Sequence, residues 1–350
     1  MTSRRGFMAG LLAVGLSPAP SWADAGNPKF LSGAKTTAGT FVLAGLNAEG
    51  AIRFQIPLPD RGHAATAHPF LPHAVAFARR PGRFAMVIDC RDGAVLAELD
   101  SPQGRHFYGH GTYDHTGDWL FTTENDYDNG QGRIGVWDAR NGYRRIGEFA
   151  SHGVGPHDLK RLPDGNLVVA NGGIDTHPDT GRRKLNLPTM QPNLSYLDAN
   201  GTLLDSVRPN QSAASVRHLA VGADGTVAIG MQWQNDVSQS PALVALHRRG
   251  EALRTLGTGA GLNGYVGSIA ISADGQNVAV TSPRSGQLQV FSTQSGAQHQ
   301  TVLAADVAGV APLAHGFVAT TGQGRFVQTG ASDQMVTAPG LAWDNHLVEL

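Results

Sequence analysis

Cysteine is almost absent: Cys90 is the only one in 350 residues. That excludes an internal disulfide, a multi-cysteine zinc site and a cysteine-held iron–sulfur cluster. Lysine is nearly as scarce, limited to Lys29, Lys35, Lys160 and Lys184. Charged residues are 16% of the chain, and 27 basic side chains face 28 acidic ones, a net charge of −1. No global field of either sign therefore draws the chain to nucleic acid or to an anionic membrane. After residue 25, no apolar run approaches the about 18 residues that a membrane helix needs. Long 3.6-period apolar stripes are missing as well, as are a nucleophile elbow, a phosphate-binding glycine loop and an HExxH pair. What the chain has in quantity is 45 glycines, 19 prolines and 14 histidines.

The first 25 residues read as an address. Ser3-Arg4-Arg5-Gly6-Phe7-Met8 leads into an apolar stretch ending at Leu16, and small residues allow cleavage after Ala23 or Ala25. A charged segment, a short apolar segment and a cleavage site make a signal peptide, and the paired arginines make it a twin-arginine signal. The mature chain, 26–350, is then expected to be one exported periplasmic domain with no membrane span. That route carries folded proteins, which suits a chain that does not depend on oxidative folding.

The body is built of short β-branched runs separated by Gly, Pro, Asp and Asn, which predicts an all-β fold. Several segments superimpose. His110-Gly-Thr-Tyr runs through Thr116-Gly117 to Leu120–Asp126, and His157-Asp-Leu through Asp164-Gly165 to Leu167–Asn171. His218-Leu-Ala runs through Asp224-Gly225 to Val227–Met231, and Ser268-Ile-Ala through Asp274-Gly275 to Val278–Thr281. His73-Ala-Val-Ala-Phe and Gly309-Val-Ala begin two further copies. Each unit is a strand, a tight turn and a strand, with further strands following. Near-regular four-strand units predict a β-propeller. Residues 29–57 offer three strands with no first strand, and His346–Leu350 is a first strand with no successors. Together they complete a seventh blade and remove the exposed edges. The expectation is a seven-bladed β-propeller closed by its two ends, with six or eight blades as alternatives.

In such a ring the first strand of each blade lines the central channel. The repeated first position is His73, His110, His157, His218 and His346, with Ser268 and Gly309 in the other two blades. Imidazole is a ready neutral ligand for iron, copper, zinc and nickel. These five histidines are therefore the predicted metal ligands, with Glu124, near the end of a second strand, as the oxygen ligand. Asn125, Asp126, Asn171 and Gln232 are further ends of second strands that could ligate or orient imidazoles. His63 and His68 fall in a Pro- and Gly-containing loop, Pro57 to Pro72, and could cap the same face or lie on its surface. Asp126–Gly132 resembles a calcium turn but lacks the distal glutamate, so an Asx-rich hairpin is expected. Cys90, without a partner, is expected to be inert. Gly172–Pro192 is an insertion projecting on the histidine face as a lid. Its Arg182-Arg183-Lys184 cluster could attract a carboxylate-bearing ligand or remain a solvated loop.

Arg105-His-Phe-Tyr-Gly-His-Gly111, Thr123–Asp128, Gly153-Val-Gly-Pro-His-Asp158, Asn171–Asp179, Lys184–Leu187, Arg217-His-Leu-Ala220 and Gly264-Tyr-Val-Gly-Ser268 resemble the DUF1513 family over essentially the whole mature chain. The resemblance includes His106, His110, His157, His177 and His218. It implies an exported bacterial protein whose genes lie beside those of imelysin-type periplasmic iron-uptake proteins and a di-haem oxidoreductase-like protein. By that association it implies a role in iron acquisition, with imelysin-type proteins as partners. Three functional classes follow. The first is a metal-binding protein holding iron, or else copper or zinc. The second is a metal-dependent oxidoreductase or hydrolase. The third is an interaction scaffold with structural histidines. A saturated metal shell favours the first, and an open position with a water-filled pocket favours the second.

Overall fold

The structure is a computed structural model that describes residues 19–79, 83–181, 183–330, 334–338 and 340–350. The signal segment falls mostly on 1–18, outside the described residues. Trp22–Ala25 form a short 3-10 turn, and the Trp22 indole donates to the His68 carbonyl at 3.1 Å.

Twenty-eight strands form seven four-stranded antiparallel sheets, so the chain is a seven-bladed β-propeller. The innermost strands, numbered by blade, are Gly62–Ala67, Arg105–Tyr113, Pro156–Arg161, Ala214–Val221, Ser268–Ile271, Val307–Pro312 and Leu341–Glu349. Each touches the next, and the last touches the first, around one channel. Closure occurs as the sequence implies. In blade 7 the C-terminal strand Leu341–Glu349 pairs with Phe30–Thr36, followed by Phe41–Leu46 and Ile52–Leu58. Leu31 faces Val348 and Ser32 faces Leu347, so sheet hydrogen bonds clasp the two ends.

The strand-to-strand turns are set by their residues. Asp164, Asp224 and Asp274 each accept from the backbone N–H two residues on, at 3.0 Å. The following Gly165, Gly225 and Gly275 have φ of +86°, +82° and +71°, a region glycine enters without steric cost. Apolar side chains pack between neighbouring blades; one cluster joins Leu194 and Tyr196 of blade 3, Val227 and Ile229 of blade 4, and Val278 and Phe291 of blade 5.

One strand assignment needs correction. His73 begins the second strand of blade 1, His73–Ala78, not the first. The channel strand is Gly62–Ala67, within the segment read from sequence as loop. Its residues, Gly-His-Ala-Ala-Thr-Ala, are small and only weakly β-forming, so local propensity does not mark it as a strand. From His63 to His110 is 47 residues, the same as from His110 to His157.

Candidate metal centre

One residue from each of five channel strands defines a level: His63 and His157 stand second in their strands, His218 fifth, and His110 and His346 sixth. His63, His110, His157, His218 and His346 meet there, supplied by five consecutive blades in the order 1, 2, 3, 4 and 7 closing back on 1. The ring centres of His346 and His63 are 4.8 Å apart, His63 and His110 4.9 Å, His110 and His157 5.1 Å, His157 and His218 4.8 Å, and His218 and His346 5.1 Å. Across the cluster, His110 and His218 are 6.4 Å apart. Imidazoles bound to one ion through nitrogens at about 2.1 Å have centres roughly 4.5–5.2 Å apart at right-angle to tetrahedral geometry, and about 6.3 Å apart when opposite. The observed spacings follow that pattern. Ligand nitrogens of His63, His110 and His346 lie within 4.8 Å of one another, as do those of His110, His157 and His218.

Blades 5 and 6 contribute no imidazole, for a steric reason. A Cβ on Gly309 would stand 2.6 Å from the Leu347 backbone nitrogen. The Ser268 hydroxyl instead accepts from the Val310 N–H at 3.3 Å and ties blade 5 to blade 6.

The electrostatics favour ligand character. Burial, followed by the neighbouring imidazoles and Arg217, holds His157 well below its ordinary range, and burial does the same for His346. Burial lowers His218 to about 3, against the pull of Asp158. These imidazoles are therefore neutral and offer lone pairs near pH 7. Both ring nitrogens of His218, Nδ1 of His157 and Nε2 of His346 are buried without a hydrogen-bond partner. Unpaired buried polar atoms cost free energy, so a concentration of them marks a place where a ligand belongs. The donor set, all imidazole nitrogen, fits iron, copper, zinc or nickel rather than calcium or magnesium.

Asp158 stands behind the cluster, and sequence reasoning did not single it out. His110 Nδ1–H donates to Asp158 Oδ1 at 3.2 Å, which leaves Nε2, 3.2 Å from His63 Nε2, as the lone-pair nitrogen. Asp158 also accepts from the Leu219 N–H at 2.9 Å and faces Lys160 at 3.4 Å. Burial alone would raise this carboxyl; the Lys160 charge and the hydrogen bonds from His110 and Leu219 outweigh it and hold it well below the usual carboxylate range. The signal was present as the residue directly after His157, in a strand where neighbours face opposite ways.

Two predicted ligands lie elsewhere. His73 sits beside His68, with ring centres 6.0 Å apart, and opposite Asp89. Glu124 is fully buried in blade 2, where its carboxylate accepts from Arg145 at 2.7 Å and from Thr122 at 3.0 Å. It belongs to a set of three guanidiniums and three carboxylates, completed by Arg105 with Asp126 at 2.8 Å, Arg133, and Glu148. A carboxylate so engaged is not available to the channel. The other second-strand ends are clasps: Asn125 donates to the Thr176 carbonyl at 2.9 Å, and Asn171 bonds Ser151 and Ser195. Asp126–Gly132 is a hairpin turn in which Asn129 donates to Asp126 at 2.9 Å. Burial pushes the Cys90 thiol up to about 12, so it stays protonated. The insertion reaches the channel mouth through Lys184; Arg182 lies outside the described residues.

Cavities reach the imidazoles from both faces. One of about 700 Å³ runs up the channel to His110, His218 and His346. A smaller one of about 230 Å³ lies over His63, His157 and His218.

Fold and site together define a seven-bladed propeller with five channel imidazoles gathered at one level. Residues 56–350 match the family described as "Protein of unknown function (DUF1513)", and the chain belongs to that family. No curated protein matches the sequence. Among solved structures, Kuenenia stuttgartiensis hydrazine synthase is similar with a TM-score of 0.59 at 11% identity, over 86% of this chain and 90% of that one. A chain of the mitotic checkpoint complex is similar with a TM-score of 0.58 at 15% identity, over 79% of both chains. At these identities the likeness is one of fold alone.

Proposed function

We propose that this chain is a periplasmic metal-binding propeller that serves iron acquisition or handling. It holds one transition-metal ion on His63, His110, His157, His218 and His346. The observation that supports this most is that ligand nitrogens gather in two sets sharing His110, one with His63 and His346 and one with His157 and His218, and that His157, His218 and His346 each carry a buried ring nitrogen without a hydrogen-bond partner. Asp158 orients His110, so at least one ligand is preset before the ion arrives. Iron is the cargo that the family resemblance suggests, with copper and zinc as the competing ions; imelysin-type periplasmic proteins are the partners. The twin-arginine signal fits this reading, because a site folded before export can be closed to the wrong ion.

The cavity over His63, His157 and His218 favours a second reading, a metal-dependent oxidoreductase or hydrolase. An ion with one position open to that cavity could bind and polarise a substrate there.

Elemental analysis of untagged protein from its native periplasm tests the first reading. About one equivalent of iron, copper or zinc per chain, lost on substitution of His110 and His157 by Ala, supports it. A metal-free protein that takes up none of these ions on dialysis overturns it in favour of the scaffold. Replacing Arg4 and Arg5 by Lys should strand the precursor in the cytoplasm; normal export of that variant would refute the twin-arginine route.

A further inference from the structure

The smaller cavity, about 230 Å³, has the imidazoles of His63, His157 and His218 at its base. Its walls include Lys184, Arg217, Tyr108 and Tyr265, and no aspartate or glutamate lines it. Arg284 adds a third cation, its guanidinium 4.4 Å from the centre of the Tyr265 ring. Lys184 and Arg284 form no ion pair with a carboxylate among the described residues; the lysine donates to the Gln234 side chain instead. Arg79, also on the wall, differs, because Asp344 neutralises it at 2.9 Å. Partial burial and the charges of Arg217 and Arg284 lower the Lys184 ammonium below its ordinary range, which shows that these cations act on one another.

Like charges gathered at a mouth free of acid repel a bare metal ion and attract an anion. The metal site below needs one. An ion of charge +2 or +3 would sit among imidazoles, which supply no negative charge, with Asp158 as the adjacent carboxylate, and Asp158 already faces Lys160. The remaining positive charge is costly to bury unless a ligand compensates it. The cavity is smaller than the roughly 300–1,000 Å³ of a drug-sized site, so the compensating ligand is small.

We propose that this cavity binds a small di- or tricarboxylate that coordinates the metal from above while Lys184, Arg217 and Arg284 hold its outer carboxylates. The proposal rests on the metal-binding reading and names the co-ligand of that site. It gives the basic insertion a function: Lys184 is delivered to the mouth by the segment between the second and third strands of blade 3.

The test uses Co(II) as a spectroscopic probe, with citrate, succinate and inorganic phosphate as the anions. Co(II) is titrated into metal-stripped protein with and without each anion, and the visible d–d bands and the bound fraction are recorded. Citrate or succinate should tighten Co(II) binding at least about tenfold and shift the bands, since a new oxygen ligand changes the coordination sphere. K184Q combined with R284Q should lose most of that gain, whereas R183Q, an exposed neighbour in the same loop, should keep it. Thermal midpoints of the variants establish that they fold. If Co(II) binds but neither carboxylate tightens it or moves the bands, the proposal falls and the metal reading stands. Equal tightening by phosphate overturns the carboxylate class in favour of a general oxyanion pocket. If Co(II) does not bind at all, the metal reading fails and takes the co-ligand with it. Citrate bound equally well by metal-stripped protein would show an anion pocket unconnected with the metal, which also overturns the proposal.

Discussion

Two polar clusters among the described residues, one in blade 2 and one at the channel, are built oppositely. In blade 2, Arg105, Arg133 and Arg145 face Glu124, Asp126 and Glu148, three cations against three anions within hydrogen-bonding or ion-pair range. At the channel, five imidazoles from five blades face one another, and several of their nitrogens have no protein partner. The first cluster balances each cation with a carboxylate, although Arg105 Nε, Arg133 Nε, Arg145 Nε and Asp126 Oδ2 lack a hydrogen-bond partner. The second is incomplete as a protein structure. Buried histidines are not incomplete by nature: His247 accepts or donates at both nitrogens, to Tyr196 at 2.7 Å and to the Glu251 carbonyl at 2.9 Å. Charge balance separates the two clusters: the first sets three cations against three anions, whereas the second gathers imidazole nitrogens from five blades with one carboxylate, Asp158, beside them.

The largest expected effect breaks the channel cluster. Taking roughly 3 kcal/mol per ligand from structural zinc sites, H110A combined with H157A should weaken metal binding by about 10,000-fold. H299A should change nothing, because His299 lies on the outer strand Gln298–Leu303 and bonds Asn277 at 2.8 Å. Competition against a metallochromic chelator measures both.

Next comes acid stability of the metal-stripped protein. His157, His218 and His346 titrate below 6.5 when folded, His218 at about 3, whereas unfolded imidazoles take up protons near 6.5. Below pH 6.5 the unfolded chain therefore binds more protons, and stability falls as pH drops; above it, these groups contribute no slope. With three such groups the slope reaches at most about 4 kcal/mol per pH unit. Urea melts between pH 7 and 5 should show it, and replacing the three by Gln should flatten it. An unchanged slope would place the acid sensitivity elsewhere.

The blade 2 cluster should respond in stability and not in metal. E124Q removes one of the two carboxylates that face Arg145, leaving Glu148, and should cost about 1–3 kcal/mol in denaturant melts, with metal stoichiometry retained. Loss of metal at unchanged stability would reverse the assignment of the two clusters.

The smallest effect sharpens the role of Asp158. D158N keeps a hydrogen-bond acceptor but removes the charge that orients His110, and metal affinity should fall about 10–100-fold. Isothermal titration beside H73A makes the contrast, since His73 stands outside the cluster and its loss should leave affinity within about twofold.

Local sequence marked four of the five channel histidines: His110, His157 and His218 precede regular turns, and His346 lies in the unpaired run at the C-terminus. The blade count and the clasp of the two ends were legible for the same reason: Asp-Gly turns and alternating runs are local signals. The fifth position was misread by one strand. His73-Ala-Val-Ala-Phe looks more like a strand than Gly62-His-Ala-Ala-Thr-Ala, yet the weaker segment lines the axis. Pairing with His73–Ala78 and contact with the channel strands of blades 7 and 2 hold it there, not its own β-propensity. Glu124 shows the same limit. Its distance along the chain from His110 resembles that of a ligand, but its partner, Arg145, comes from the fourth strand of the same sheet.

By itself, then, the sequence determined the all-β class, the repeat, the closure and most of the histidine ring, because each depends on turn chemistry and periodicity within one blade. Only the tertiary structure decided that His63 replaces His73, that Glu124 is spent on a salt bridge and that Asp158 stands behind His110. Those facts depend on which side chains meet across blades or across a sheet, and such meetings are fixed by closing the ring, not by any short stretch of chain.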